Sequence, residues 1–253
     1  MASPVNDAFF TREGERFVPT GLGPSFWDAS KQGGAPICGL VAQILGDLPA
    51  PVPMLPTRLT LDIYGAVPMA PMTMRTRVLR DGKRLQLAEL ELDAEGRTYV
   101  RATLLRVRSE GSEDHLEPLT RPFPEGVQGL RRVVGESIRI AGSDTEPGPG
   151  ALWMRVIRPM IAGEPMNPLA AIAAAADWGT TVSPPASLKS WTYANLDVSI
   201  HLSRLPRSDW MLLDGTSEVA GNGTGVVTMR MGDREGMFGI AHQSVFLNRR
   251  PAG

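Results

Sequence analysis

The stretch AAIAAAADWGTT, residues 170–181, runs through small apolar residues, delivers one carboxylate at Asp177 and stops at Trp178–Gly179. Just upstream, Asn167 and Pro168 read as a cap and a first-turn proline, and Gly179 as the residue just past the helix end. The segment is apolar all round, so the sequence predicts a helix wrapped by other elements rather than laid on a surface. Further along the chain the pattern alternates: Leu196, Val198, Ile200 and Leu202 have the period of a half-buried antiparallel strand.

The same order occurs earlier in the chain. GGAPICGLVAQIL (33–45) is a second small-residue segment led by glycines, with strand-like stretches after it at 58–68, 72–83, 84–93 and 97–108. The later set lies at 194–206, 210–221, 223–231 and 236–249. DAEGRTYVRATLLRV and GDREGMFGIAHQSVFL line up at an offset of 140 residues, too long for a solenoid repeat and suited to a duplicated domain. Between the copies, residues 109–150 are rich in Pro, Gly and charge, a linker composition. The expected organisation is an N-terminal domain at 1–110, a linker at 111–148 and a C-terminal domain at 149–253. One helix followed by about four antiparallel strands in each half gives an α+β class. A helix enclosed by a curved antiparallel sheet resembles the hotdog fold, here present twice.

Bulk properties narrow the function. The 253 residues are 42% hydrophobic and 21% charged, ordinary for a globular protein. A net charge of −1 offers no general attraction to nucleic acid or an anionic membrane. Cys38 is the single cysteine, and His115, His201 and His242 are scattered, so neither a disulfide nor a zinc spacing is expected. The N-terminal stretch carries charges and no apolar core, unlike a signal peptide, and no apolar run reaches the ~18–20 residues of a membrane span. The expectation is a cytoplasmic protein without cofactor or metal. GxSxG is absent, GNGTG (221–225) joins two strands as a turn, and Cys38 lies in the first apolar helix as a buried thiol.

Three polar groups stand in apolar surroundings: Asp177, Asn195 at the start of a strand, and Gln243, whose parity matches Val245 and Leu247. Each has an ordinary reading, as a solvated helix end, a turn residue and a satisfied core amide respectively. Strand parity puts Asn195 with Asp197 and Ser199, opposite the aliphatic face, so either these line a polar cavity or a bulge re-aims them. Together a carboxylate and two amides can hold one water, with the carboxylate as general base and the amides fixing its direction. Enclosure and a helix C-terminus would both raise the Asp177 pKa.

At these residues the chain resembles the acyl-CoA thioesterase II family, whose members are double-hotdog enzymes. The matching pieces are GERFVPTGLGPSFW (14–27), QGG (32–34), VLRDGKRLQLAELEL (78–92), RATLLRVR (101–108), AADWG (175–179), NLDVSIHLSRLP (195–206) and GIAHQSVFLNRR (239–250). The resemblance implies thioester hydrolysis of acyl-CoA by an Asp-activated water, assisted by a Thr or Ser and a Gln. Asp177 matches the aspartate and Gln243 the glutamine; Asn195 stands where the family has its hydroxyl. In the first half no carboxylate lies between Gly33 and Leu45, and Thr103 takes the position expected to match Gln243, so one site per chain is anticipated. Arg204, Arg249 and Arg250 are candidates for the CoA phosphates, and Met54, Met69, Met72 and Met74 for an acyl-pocket lining or plain core. Hotdog sheets pair edge to edge, so a homo-oligomer is expected. Two rivals remain: a hydratase or dehydratase, which would carry a His five residues after its Asp where this chain has Val182, and a non-catalytic acyl-CoA-binding module, kept open by Asn195.

Overall fold

The computed structural model describes residues 7–111, 113 and 115–250. The first six residues of the N-terminal stretch, Ser112 and Asp114 of the expected linker, and the end of the expected second domain lie outside the described residues.

Fourteen strands form one sheet among the described residues. The first half contributes β1 (Phe10–Glu13), β2 (Arg16–Pro19), α1 (Gly34–Gly46), β3 (Met54–Ile63), β4 (Met72–Asp81), β5 (Leu85–Ala94) and β6 (Arg97–Arg108). The second contributes β7 (Leu130–Arg131), β8 (Gly135–Ala141), β9 (Gly150–Val156), α2 (Pro168–Ala176), α3 (Gly179–Val182), β10 (Trp191–Asn195), β11 (Asp197–Leu202), β12 (Met211–Val219), β13 (Thr224–Asp233) and β14 (Gly236–Arg249). The sheet order is β1-β2-β4-β5-β6-β3-β11-β14-β13-β12-β9-β8-β7, with β10 also on β14. The halves are joined by β3 and β11, antiparallel from Asp197↔Asp62 to His201↔Arg58.

The segment expected to be a linker at 111–148 is not all linker. β7 and β8 lie within it, and β8 pairs with β9. β7 has only two residues, and β8 (GESIRIA) marks its period with only two large apolar residues, Ile138 and Ile140.

Both main helices are enclosed. In α2 every residue from Leu169 to Ala176 except Ala171 is buried. They run antiparallel, with small residues at the crossing: a Cβ on Gly39 would lie 3.3 Å from that of Ala174. Asn167 caps α2 as its sequence suggests, its Oδ1 accepting from Ala170 N–H at 2.9 Å. The same side chain clamps the helices, donating to Gln43 O at 3.0 Å and Asp47 Oδ1 at 2.9 Å near the end of α1. Met72 is fully buried in the core.

Candidate active site

Helix α2 ends at Ala176, with Asp177 as its C-cap. Gly179 does not terminate it in a left-handed turn: it opens the short α3, and its φ is not positive. Its lack of a side chain serves another purpose, since a Cβ there would stand 2.8 Å from Cδ of Gln243. Gln243 is buried on β14 and donates through Nε2 to Ala176 O at 2.9 Å. Asn195 donates through Nδ2 to both Asp177 O and Asp177 Oδ1, each at 3.0 Å. The two amides thus satisfy backbone carbonyls that the end of α2 leaves orphaned. Their oxygens, Asn195 Oδ1 and Gln243 Oε1, are buried and accept no hydrogen bond within the described residues.

A bulge aims Asn195. Between the pairs Asn195↔Val245 and Ser199↔His242, the β10–β11 side advances four residues while β14 advances three. The extra residue, at exposed Leu196, flips the parity: Tyr193 is buried and Asn195 faces inward beside it, as do Val198 and Ile200 beyond the bulge. Asn195 therefore parts company with Asp197 and Ser199.

Asp177 lies between the halves. The first residue of α1, Gly34, abuts its carboxylate so closely that a Cβ would stand 2.7 Å from Oδ2. Cys38, one turn into α1, has its thiol 3.9 Å from Oδ1 and donates to it. Burial raises the Asp177 pKa to about 6; the Asn195 and Cys38 hydrogen bonds pull the other way. The carboxylate also sits at two helix ends of opposite sign, the C-terminus of α2 and the N-terminus of α1, whose dipoles oppose one another. Burial lifts the Cys38 thiol well above its ordinary value, with Asp177 adding to the effect, so it remains a neutral donor.

Asp177, Asn195 and Gln243 are thus brought together around one helix end. The close approaches of Gly34 to Asp177 and of Gly179 to Gln243, and the Cys38 contact, are not legible in the sequence. QGG before a helix was visible, but a glycine kept for a neighbour's polar atom has no local signature.

The first-half counterpart of Gln243 requires a correction. An offset of 139 residues carries Thr60↔Thr103 onto Ser199↔His242, and Ala88↔Leu104 onto Val227↔Gln243. Thr103 therefore corresponds to His242 on the outer face, bonding Thr60 Oγ1 at 2.7 Å, while Gln243 corresponds to buried Leu104. One residue of slip in the alignment exchanges the faces of the strand.

The arginines also separate. Arg204 is committed to a bidentate pair with buried Asp233, at 2.6 and 2.8 Å. Arg249 and Arg250 lie over the rings of Trp191 and Trp27. A surface cleft of about 690 Å3 lined by Arg16, Thr73, Arg75 and Asp93 shares no residue with the Asp177 group. Among the described residues, no group of His, Cys, Asp and Glu could hold a metal ion, and no helix is long and apolar enough to cross a membrane.

Comparison with known proteins bears on this arrangement. Residues 24–107 match the family described as acyl-CoA thioesterase N-terminal domain, and residues 108–247 the one described as acyl-CoA thioesterase C-terminal domain. The chain belongs to the acyl-CoA thioesterase family. Its fold is the double hotdog. A tesB protein from Mycobacterium avium subs. paratuberculosis superposes with a TM-score of 0.72 at 16% identity, covering 96% of each chain. An acyl-CoA thioesterase II from Mycobacterium marinum gives 0.70 at 16% identity, covering 99% of this chain and 97% of its own. A hot dog fold protein from Alicyclobacillus acidocaldarius gives 0.72 at 15% identity over the whole of both chains. No curated protein sequence matches the chain.

Proposed function

We propose that this member of the acyl-CoA thioesterase family hydrolyses an acyl-CoA to the free acid and CoA, with Asp177 as the general base. The observation that carries the reading is a part-buried carboxylate raised to about 6, flanked by two amides whose oxygens are buried without partners. A carboxylate of that pKa is largely ionised at neutral pH and still basic enough to take a proton from water. Asn195 spends both N–H bonds on Asp177, which leaves its oxygen as an acceptor for a water hydrogen; Gln243 offers a second acceptor.

In the proposed step, the water oxygen attacks the thioester carbon while Asp177 takes its proton. The carbonyl π electrons move onto oxygen, giving a tetrahedral oxyanion. The start of α1 lies against the carboxylate, and its first-turn N–H groups at Gly34 and Ala35 are unpaired by helix geometry, which suits them to receive that oxyanion. Collapse re-forms the carbonyl and breaks the C–S bond, and the proton on Asp177 passes to the departing thiolate. Asn195, in the place of the family's hydroxyl, holds Asp177 in this scheme.

Release of free CoA thiol from a panel of acyl-CoAs tests the reading. Asp177→Asn is expected to lower the rate roughly 10²–10⁴-fold, the usual contribution of a positioned base. Wild-type protein that binds acyl-CoA and releases no thiol would instead establish a binding module.

A further inference from the structure

Next to the Asp177 group lies a surface that combines exposed aromatic rings with two arginines that pair with no carboxylate among the described residues. Residues 23–33 form a hairpin, with Gly33 N–H donating to Gly23 O at 2.7 Å and Ser25 N–H to Lys31 O at 2.8 Å. The base of the hairpin adjoins Gly34, which abuts the Asp177 carboxylate. Its tip carries Phe26, 84% exposed, and Trp27, 41% exposed. These rings meet edge to face at 5.2 Å, and Trp27 meets Tyr193 in the same manner at 5.6 Å. Tyr193 stands two residues before Asn195, about 7 Å along the strand. The aromatic step thus begins one strand repeat from the candidate site and leads outward.

Two cations border it. The Arg250 guanidinium lies 5.5 Å from the centre of the Trp27 ring, and that of Arg249 lies 5.2 Å from Trp191. Neither forms an ion pair among the described residues, whereas Arg204 is locked to Asp233.

We infer that this surface holds the adenosine-phosphate end of the CoA thioester, with Phe26 and Trp27 stacking the purine and Arg249 and Arg250 pairing its phosphates. The inference rests on the thioester reading above. A purine offers a flat π face that stacks on an exposed ring. Its phosphates offer oxygens in the fork geometry a guanidinium matches. A CoA thioester separates its reacting carbon from its nucleotide by the pantetheine arm. Here the hairpin and the strand from Asn195 to Tyr193 separate the carboxylate from the rings in the same sense.

Adenosine 3′,5′-bisphosphate, titrated into the full chain and followed by tryptophan fluorescence and calorimetry, tests the platform directly. Wild type is expected to bind it, and Phe26→Ala and Arg250→Gln each to weaken binding about tenfold, the scale of one lost base stack. Both side chains are exposed, so the variants retain the fold. In turnover, the same variants are expected to raise KM for acyl-CoA about tenfold with kcat unchanged, and to leave acyl-pantetheine, which lacks the nucleotide, unaffected. Absence of nucleotide binding by wild type, equal binding by the variants, or parallel KM changes for both substrates would overturn the assignment. If wild type turns over neither thioester, the hydrolase reading fails while the nucleotide titration still decides the platform.

Discussion

At the end of α1, buried Arg106 reaches across from β6 and donates to Leu48 O at 2.8 Å and Pro49 O at 3.4 Å, with buried Gln86 as a further acceptor. At the end of α2, Asn195 and Gln243 reach in from β10 and β14 and donate to Asp177 O and Ala176 O. The physical problem is related, because each helix end leaves carbonyls without intrahelical partners, at buried Ala176 in α2 and at half-buried Gly46 and Leu48 at and just beyond the end of α1. A guanidinium has only donors to offer, so it closes the first end as a plug. An amide brings an acceptor with each donor, so the second end keeps two unspent oxygens beside a carboxylate. Duplicated architecture thus yields one inert helix end and one polar group able to hold water.

Breaking the inert end should cost the most stability and no chemistry. Arg106→Met takes the donor from Leu48 O and from buried Gln86 Oε1, and urea unfolding should show a loss of roughly 3 kcal/mol, with kcat unchanged.

At the other end, Asp177 should cost stability as pH rises. Its pKa goes from 3.8 in the unfolded chain up to about 6 in the fold, so the folded state binds the proton more tightly. That stability is present below about pH 4 and lost as pH climbs through 6, at most about 3 kcal/mol by the value of a pKa unit. Melts of Asp177→Asn against wild type should show the variant gaining relative stability from pH 4 to 7 and levelling off above.

Gln243→Leu gives the second half the residue that the first carries at Leu104. Ala176 O then loses its donor, and urea melts should register about 2 kcal/mol. Loss of the water's positioning should lower thiol release on the order of 100-fold. Retained turnover would leave Gln243 as a helix cap only.

Asn195→Ala should have the smallest effect. It removes a hydrogen bond that lowers the Asp177 pKa, so the ascending limb of the pH–rate profile should move to higher pH. An unmoved limb would show that Asn195 does not set the carboxylate.

The sequence made the larger elements legible. β6 and β14 begin and end where their alternation does, and Asn167–Pro168 cap α2 as their chemistry suggests. Asp177 and Gln243 were visible as polar residues in apolar runs. What escaped depends on partners distant in sequence. The bulge at Leu196 is defined against β14, the place of Thr103 turned on a one-residue slip, and Gly34 and Gly179 are glycines because of side chains more than fifty residues away. β8 was hidden because only Ile138 and Ile140 mark its alternation, within a stretch of glycines and charges.

The pH profile of kcat/KM for thiol release decides whether Asp177 is the base. With Asp177 as the base, the rate should rise with pH, half-maximal near 6. Asp177→Asn should lose both the rate and that inflection. A wild-type profile flat from pH 5 to 7.5, or an inflection near 6 that survives in Asp177→Asn, would contradict the account.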